Sequence, residues 1–492
     1  MTPEHEIVIV GAGFSGIGIA HELSGSGFND YLLVETGDDF GGTWHWNRYP
    51  GVAVDIPSFS YQYSFAPRSN WSRTYAPGRE LRSYARDVAD KLGLRSRTRF
   101  NTTITGARFD EQHDLWHLDV EGGEPMTARH LVDASGVLTI PKDPEIEGLH
   151  SFAGTTVHTA RWDDSIDLTG KRVAVIGTGA SAVQLIPEIA PIADHLTVLQ
   201  RTPIWCLPKL DAPLPGAAHL ALRLPGAQTV ARMASHAFVE ATFVIPAHWH
   251  RPLGLATRME GRARKWIESQ VKDPELREKL TPKYAIGCKR PSFHNTYLAT
   301  FNRGDVTLET DPIAAIVPEG VRTQSGTVHE IDVLILATGF KVYDRGNMPK
   351  FPTAGVDGVD LADWWAENRH QSYEGVSLPG WPNLFMMFGP YGYNGASYFT
   401  LIEAQAHHIV RCLREARSAG ATRVEVKDAA MQRYFTTMLK RRPRQVFWQD
   451  SCSVASSYYF DDHGDVPLRH GLTAQTYAAA RRYPLSDYSY SS

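Results

Sequence analysis

Two glycine-rich hexapeptides carry the clearest chemistry in the sequence. In the first, Gly11-Ala12-Gly13-Phe14-Ser15-Gly16, Gly11 permits a tight turn, Gly13 lets backbone approach a pyrophosphate, and Gly16 lets a helix pack on the preceding strand. The helix that follows would turn free N–H groups and its positive dipole end toward the phosphates. Glu35 stands about two dozen positions after Gly11, close to the roughly 20 expected of an acid that grips ribose hydroxyls. An unphosphorylated ribose, as in FAD or NAD, suits that acid. The second hexapeptide is Gly177-Thr178-Gly179-Ala180-Ser181-Ala182, and where the first has its acid the second has Gln200-Arg201-Thr202. A carboxylate there would repel a 2′-phosphate, whereas a guanidinium chelates one through paired N–H donors. The second site therefore selects NADPH, the alternative for Arg201 being a solvated strand-end charge.

Two nucleotide sites with different ribose chemistry imply electron transfer from NADPH to a flavin. A disulfide reductase would need a cysteine pair beside that flavin. Cys206, Cys288, Cys412 and Cys452 lie far apart and form no CxxC, which argues against a redox dithiol, a zinc cluster and a secreted disulfide framework. No metal is expected, a reducing cytoplasm fits the cysteine usage, and dioxygen is the acceptor that remains.

Each loop needs a strand before it and a helix after it, and both blocks supply them. IVIVGAGFSGIGIAHEL and RVAVIGTGASAVQLIPEIA each read as strand, turn and helix, followed by the β-rich runs YLLVE and HLTVLQR, as a βαβ unit with a parallel sheet requires. The fold class expected is α/β with two dinucleotide-binding (Rossmann-like) domains. LVDASGVLTIPKDPEIEGL marks a boundary near residues 136–150, and VLILATGF at 333–340 carries the chain back, so the NADP domain is expected to be inserted into the FAD domain. The division reads 1–145 for the first part of the FAD domain, 146–340 for the NADP domain with a helical insertion about 210–285, and 341–492 for the second FAD part and C-terminal segment. SYFTLIEAQAHHIVRCLREARSAG reads as an amphipathic helix ending at glycine, and the SDYSYSS tail is expected to fray.

The chain's 492 residues exclude a single small binding module, and 42% hydrophobic and 21% charged residues match ordinary globular proteins. A net charge of -4 offers no global basic field for nucleic acid or anionic membrane. The apolar-leaning stretch 227–246 contains Arg232, His236 and Glu240, too many ionisable groups for a membrane span. The N-terminus lacks the basic start and long apolar run of a signal peptide.

Three further patterns make the chain resemble the class B flavoprotein monooxygenases, and within them the Baeyer–Villiger monooxygenases. GGTWHWNRYPGVAVD, Gly41 to Asp55, is similar to that family's flavin-proximal loop. FAGTTVHTARWD places Phe152, Gly154, His158 and Trp162 on the pattern F-x-G-x-x-x-H-x-x-x-W. Cys288-Lys289-Arg290-Pro291 is similar to the loop that presents the family's active-site arginine. The resemblance spans Ile7 to about Gln405. It implies an enzyme that inserts one oxygen atom of dioxygen into a ketone, giving an ester or lactone by way of a flavin peroxide.

On those matches, Arg290 and Asp55 are the expected catalytic residues. A ketone is attacked only by deprotonated peroxide, and a fixed cation nearby lowers the peroxide pKa by about 1–3 units. The resemblance pairs Asp55 with Arg290. It also implies that Gly42, Thr43, Trp44, Asp55 and Tyr61 surround the flavin, with Ile104 at its adenine side. Lys289 would join Arg201 and Thr202 at the 2′-phosphate, and Gln184 would lie along the pyrophosphate or nicotinamide. His158 and Trp162 fall in the interdomain hinge. The simpler readings are that Arg290 anchors a phosphate of NADPH and that Asp55 caps a turn. Tyr458 stands where the family often has Trp, so no catalytic role is assigned there; Tyr391, Tyr393, Tyr398 and Trp448 either line an apolar pocket or pack a core. The runner-up activity is nitrogen or sulfur oxygenation by the protonated peroxide, and a non-catalytic redox-sensing flavoprotein is third.

Overall fold

The computed structural model describes residues 2–250, 254–449, 451, 452, 455 and 457–492. Residues 251–253 of the expected helical stretch, and Ser456 of the SSYYF run, lie outside them.

Two parallel-cored sheets organise the chain. The first has strands His5–Val10, Tyr31–Val34, Thr98–Arg99, Ile104–Asp110, Leu115–Val120 and Met126–Asp133, and then recruits Thr353–Ala354 and Leu384–Met386 from much later in the sequence. His5–Val10 lies between Tyr31–Val34 and Met126–Asp133, parallel to both. Leu384–Met386 adds in parallel to Met126–Asp133, with Leu384 opposite Leu131. The second sheet is wholly parallel and has five strands, drawn from Thr155–His158, Arg172–Ile176, His195–Leu199, Val306–Glu309 and Val333–Leu336. A sheet closed between residues 155 and 336, flanked on both sides in sequence by strands of another sheet, is the inserted arrangement expected.

Each central strand is a short continuous apolar run, as burial on both faces demands. Ile7, Val8 and Ile9 are fully buried in the first sheet, and Val173, Ala174 and Val175 in the second. The helices after the loops are Phe14–Gly25 and Ala180–Ile189, and neither has a side-chain N-cap bond. Their first N–H groups are thus left for a ligand.

The helical insertion contains Ala227–Val239, Leu255–Gln270 and Pro274–Leu280; Asp273 caps the last, accepting from the Glu275 N–H at 2.8 Å. Tyr398–Ala419 is the long C-terminal helix, closed by Gly420 at φ 65°. Among the described residues no helix is long and apolar enough to cross a membrane.

Two expectations fail. The tail does not fray: Tyr488–Ser491 forms a strand antiparallel to Arg423–Val426, with Tyr490 opposite Val424. Its alternating tyrosines have the two-residue period of a strand, and Tyr488 is 3% exposed, burial worth about 2 kcal/mol for a ring of that size. The cysteines are not all single either, because Cys288 and Cys452 form a disulfide with Cα atoms 5.0 Å apart. Sequence distance misled here, since a separation of 164 residues says nothing about proximity once the C-terminal segment folds back.

Candidate functional site

Both loops open onto one cavity of about 1530 Å³. At the first loop Gly11 has φ +107°, and a Cβ there would lie 2.6 Å from the Ala134 carbonyl oxygen. A Cβ on Gly16 would lie 2.0 Å from the Gly11 oxygen, so the helix can pack this closely only with glycine there. Gly13 would meet Gly42 Cα at 3.3 Å, which sets the flavin-proximal loop directly against the turn. Glu35 is buried, and its two carboxylate oxygens accept the Ala12 and Gly37 N–H groups, each at 2.8 Å. The second loop repeats the turn, with Gly177 at φ +117° and its Cβ position 2.5 Å from the Ala337 oxygen. Gly179, by contrast, faces open space. Thr178 donates its hydroxyl to the Thr202 carbonyl at 2.8 Å, tying the turn to the strand end that bears Arg201.

Of the residues expected at the site, Gly11, Gly13, Ser15, Glu35, Gly42, Thr43, Trp44, Asp55, Tyr61, Ile104, Gly177, Thr178, Gly179, Ala180, Ser181, Gln184, Arg201, Thr202, Lys289 and Arg290 all line this cavity. Gly16 lies behind it, under the turn. Trp44 donates its indole N–H to the Tyr61 hydroxyl at 3.2 Å, the two rings standing edge to face.

Lys289 and Arg201 share one corner. Burial first, and then the charge of Arg201, lower the Lys289 pKa to about 8. Two cations held close enough to repel form a site that a phosphate dianion would relieve. Together with the open space at Gly179 and the uncapped helix starts, this donor set fits a phosphorylated dinucleotide, while the Glu35 loop fits an unphosphorylated one.

Arg290 is placed differently from the expectation. Asp55 does not form an ion pair with it among the described residues; Asp55 instead accepts from the Gln184 side-chain amide at 3.4 Å. The phenols of Tyr393 and Tyr459 stand beside the guanidinium, and its carbon lies 5.8 Å from the Phe243 ring. Among the described residues its buried Nε has no hydrogen-bond partner. Burial disfavours the cation, but its pKa is held well above the ordinary value, with the Asp55 carboxylate among the groups that favour the charged form, so the charge persists. The Tyr393 hydroxyl donates to the Ala396 carbonyl at 3.2 Å.

Gln184, expected along the pyrophosphate or nicotinamide, lines the cavity where the two loops meet. Its amide accepts from the Tyr49 hydroxyl at 3.0 Å and donates to the Ala53 carbonyl at 2.9 Å, joining the second nucleotide helix to the flavin-proximal loop. Gly51 makes that approach possible, with φ +80° and its Cβ position 2.4 Å from the Gln184 carbonyl oxygen. His158 ends the edge strand of the second sheet and bonds the Thr338 hydroxyl at 3.2 Å, at the point where the chain returns toward the first sheet.

A family described as pyridine nucleotide-disulphide oxidoreductase matches residues 8–211. A Baeyer–Villiger monooxygenase of Pseudomonas aeruginosa is 35% identical over 488 residues, covering 98% of this chain and 91% of that protein. The chain belongs to the Baeyer–Villiger monooxygenase family. A second member, from Streptomyces coelicolor, is 34% identical and covers 99% of this chain and 92% of its own. The crystal structure of OTEMO in complex with FAD and NADP superposes with a TM-score of 0.90 at 29% identity, over 99% of this chain and all of that one. Within this Baeyer–Villiger fold, Tyr393 and Tyr459 were missed as partners of Arg290. The aromatic run GPYGYNGASYF was a signal for Tyr393, but nothing local to Tyr459 points at residue 290. The Cys288–Cys452 disulfide sits next to Lys289 but is buried behind the cavity wall, so it is not the flavin-facing pair that a disulfide reductase requires.

Proposed function

We infer that this chain uses NADPH and FAD to insert one oxygen atom of dioxygen into a ketone, giving an ester or lactone. The observation that carries the reading is Arg290: a half-buried guanidinium with no ion-paired carboxylate among the described residues, on the wall of the cavity that both nucleotide loops share. When bound, FAD accepts reducing equivalents from NADPH and passes them to dioxygen. The protein supplies position and field. The first loop and Glu35 would hold the FAD pyrophosphate and ribose, with Thr43, Trp44 and Tyr61 about its ring and Ile104 toward its adenine. Thr178, Ala180, Ser181 and the second turn would hold NADPH, and Arg201, Thr202 and Lys289 would take its 2′-phosphate. Arg290 stabilises negative charge on the reacting oxygen, worth about 1.4 kcal/mol for each unit by which that oxygen's pKa falls. The phenols of Tyr393 and Tyr459 beside it are neutral and leave its charge uncancelled, which an ion-paired carboxylate would not. Asp55, fixed through Gln184, borders the same space at the junction of the two sheets.

The same reading divides the chain at about residues 145 and 340, supported by the strands that each sheet recruits, and sets the enzyme in the cytoplasm with a small-molecule substrate. Arg290→Ala is expected to retain yellow FAD and still oxidise NADPH while ester formation falls at least about a hundred-fold, the scale of a lost charge-stabilising donor. Product analysis on a ketone, a thioether and an amine checks it. Undiminished ester from Arg290→Ala would remove the assignment of that residue, and sulfoxide or N-oxide with no ester from any ketone would overturn the activity.

A further inference from the structure

Among the described residues Arg290 has no ion pair to hold it, so its aim depends on the backbone that carries it and on the segment that supplies Tyr459. Those two stretches, residues 285–293 and 445–460, are tied repeatedly. Cys288, two residues before Arg290, is bonded to Cys452. Gly287, at φ +99°, would place a Cβ 2.6 Å from Val446, so the loop is pressed against the Val446–Trp448 turn. The Ala285 N–H donates to the Ser451 hydroxyl at 3.2 Å. Tyr459 packs edge to face on Phe447, ring centres 5.1 Å apart, and stands beside Arg290. Past the arginine, the Ser292 N–H donates to the Trp205 carbonyl at 2.8 Å and Ser292–Phe293 pairs with Cys206–Leu207. Lys289-Arg290-Pro291 is therefore a short span pinned on one side by a ladder and on the other by the disulfide.

We propose that Cys288 and Cys452 are positioning residues for Arg290: their bond bolts the arginine loop to the C-terminal segment carrying Tyr459, and its opening lets the guanidinium lose its aim. The inference rests on the reading of Arg290 given above. The remaining ties are hydrogen bonds and packing contacts, each replaceable by water or by a shifted neighbour; the covalent bond alone holds the two segments when those contacts open. Both cysteines are buried, at 0% and 3% exposure, and neither reaches the cavity wall. The bond therefore acts through position and takes no part in electron flow from the flavin. Its opening needs an external dithiol: two electrons and two protons pass to the sulfurs, giving two thiols, and the dithiol closes to its own disulfide.

The test compares the purified holoenzyme as isolated with the same enzyme opened by dithiothreitol and then reoxidised, alongside Cys452→Ser. Alkylation under denaturing conditions followed by intact mass counts the thiols: two, from Cys206 and Cys412, before reduction and four after it. Hydrogen exchange across residues 285–293 is expected to speed up on reduction while FAD absorbance is retained. Ester formed per NADPH consumed is expected to fall several-fold near neutral pH, with hydrogen peroxide released in its place. Its pH profile is expected to move upward by about one unit, because a displaced cation no longer favours the oxygen anion. Reoxidation restores all three. Four thiols in the enzyme as isolated under air, or two states with the same exchange and the same pH profile, would overturn the proposal. Reversible reduction of the unmutated enzyme decides the matter even if Cys452→Ser loses its flavin. Arg290→Ala run in parallel separates the two failures: if that variant loses ester formation while reduction changes nothing, the brace fails and the reading of Arg290 stands; if it forms ester normally, the reading itself fails.

Discussion

At the first nucleotide loop the ribose end is a buried acid, Glu35, whose two oxygens each take a backbone N–H. At the second it is an exposed base, Arg201, close enough to Lys289 to depress that amine's pKa. The first loop is thus a rigid part of the core, completed by the protein itself, whereas the second is an open electropositive corner completed by its ligand. That difference suits a prosthetic group that stays and a coenzyme whose phosphate is read on arrival. The glycines repeat the contrast. A methyl at Gly16 would strike backbone at 2.0 Å, yet its counterpart in the second loop is Ala182, fully buried, and Gly179 faces open space where Gly13 faces Gly42.

The harshest way to break the comparison is Gly16→Ala. The helix must lift off the strand, at a cost of at least about 1–3 kcal/mol of overpacking, and the expected outcome is a colourless or weakly yellow protein with a lowered melting temperature. A stable variant with a full complement of flavin would show that the first loop is not the rigid one. Next in size is Arg201→Ala, expected to weaken NADPH roughly ten- to hundred-fold, the range of about 1.5–3 kcal/mol for hydrogen bonds to a charged group. NADH use should change little, and equal losses for the two coenzymes in steady-state kinetics would mean that Arg201 does not read the phosphate.

A smaller effect sharpens the contrast through pH. Since the Lys289 pKa is lowered to about 8, the amine is charged below that value and loses its proton as pH rises through it. The NADPH KM should rise up to about ten-fold between pH 7 and 9, and the rise should vanish in Lys289→Met; a flat profile in the unmutated enzyme would count against the shared corner. Smallest is the effect of Gly179→Ala on folding. With no atom of the described residues within 4 Å of the new methyl, stability should stay within about 0.5 kcal/mol by thermal denaturation while NADPH binding weakens. A large stability loss there would erase the distinction between the loops.

Much of this architecture was legible from residues alone because it is local. A strand, a turn that needs positive φ at Gly11 and Gly177, and a helix start lie within a few residues of one another, and the acid or base follows at the end of the next strand. The order of those blocks also announced the insertion. The long helix Tyr398–Ala419 was legible from its apolar spacing and its terminal glycine. What escaped was contact between distant segments: Gln184 gripping Tyr49 and Ala53, the tail strand on Arg423–Val426, Tyr459 on Arg290, and Cys288 on Cys452.

The sequence by itself determined the two glycine turns, the acid that follows the first and the base that follows the second, and the inserted order of the sheets, because backbone sterics and side-chain charge act over a few residues. Only the tertiary structure decided what surrounds Arg290. Its neighbours come from residues 55, 243, 393 and 459, and a side chain's field and orientation depend on what folding brings within a few ångströms, a distance that spacing along the chain does not encode.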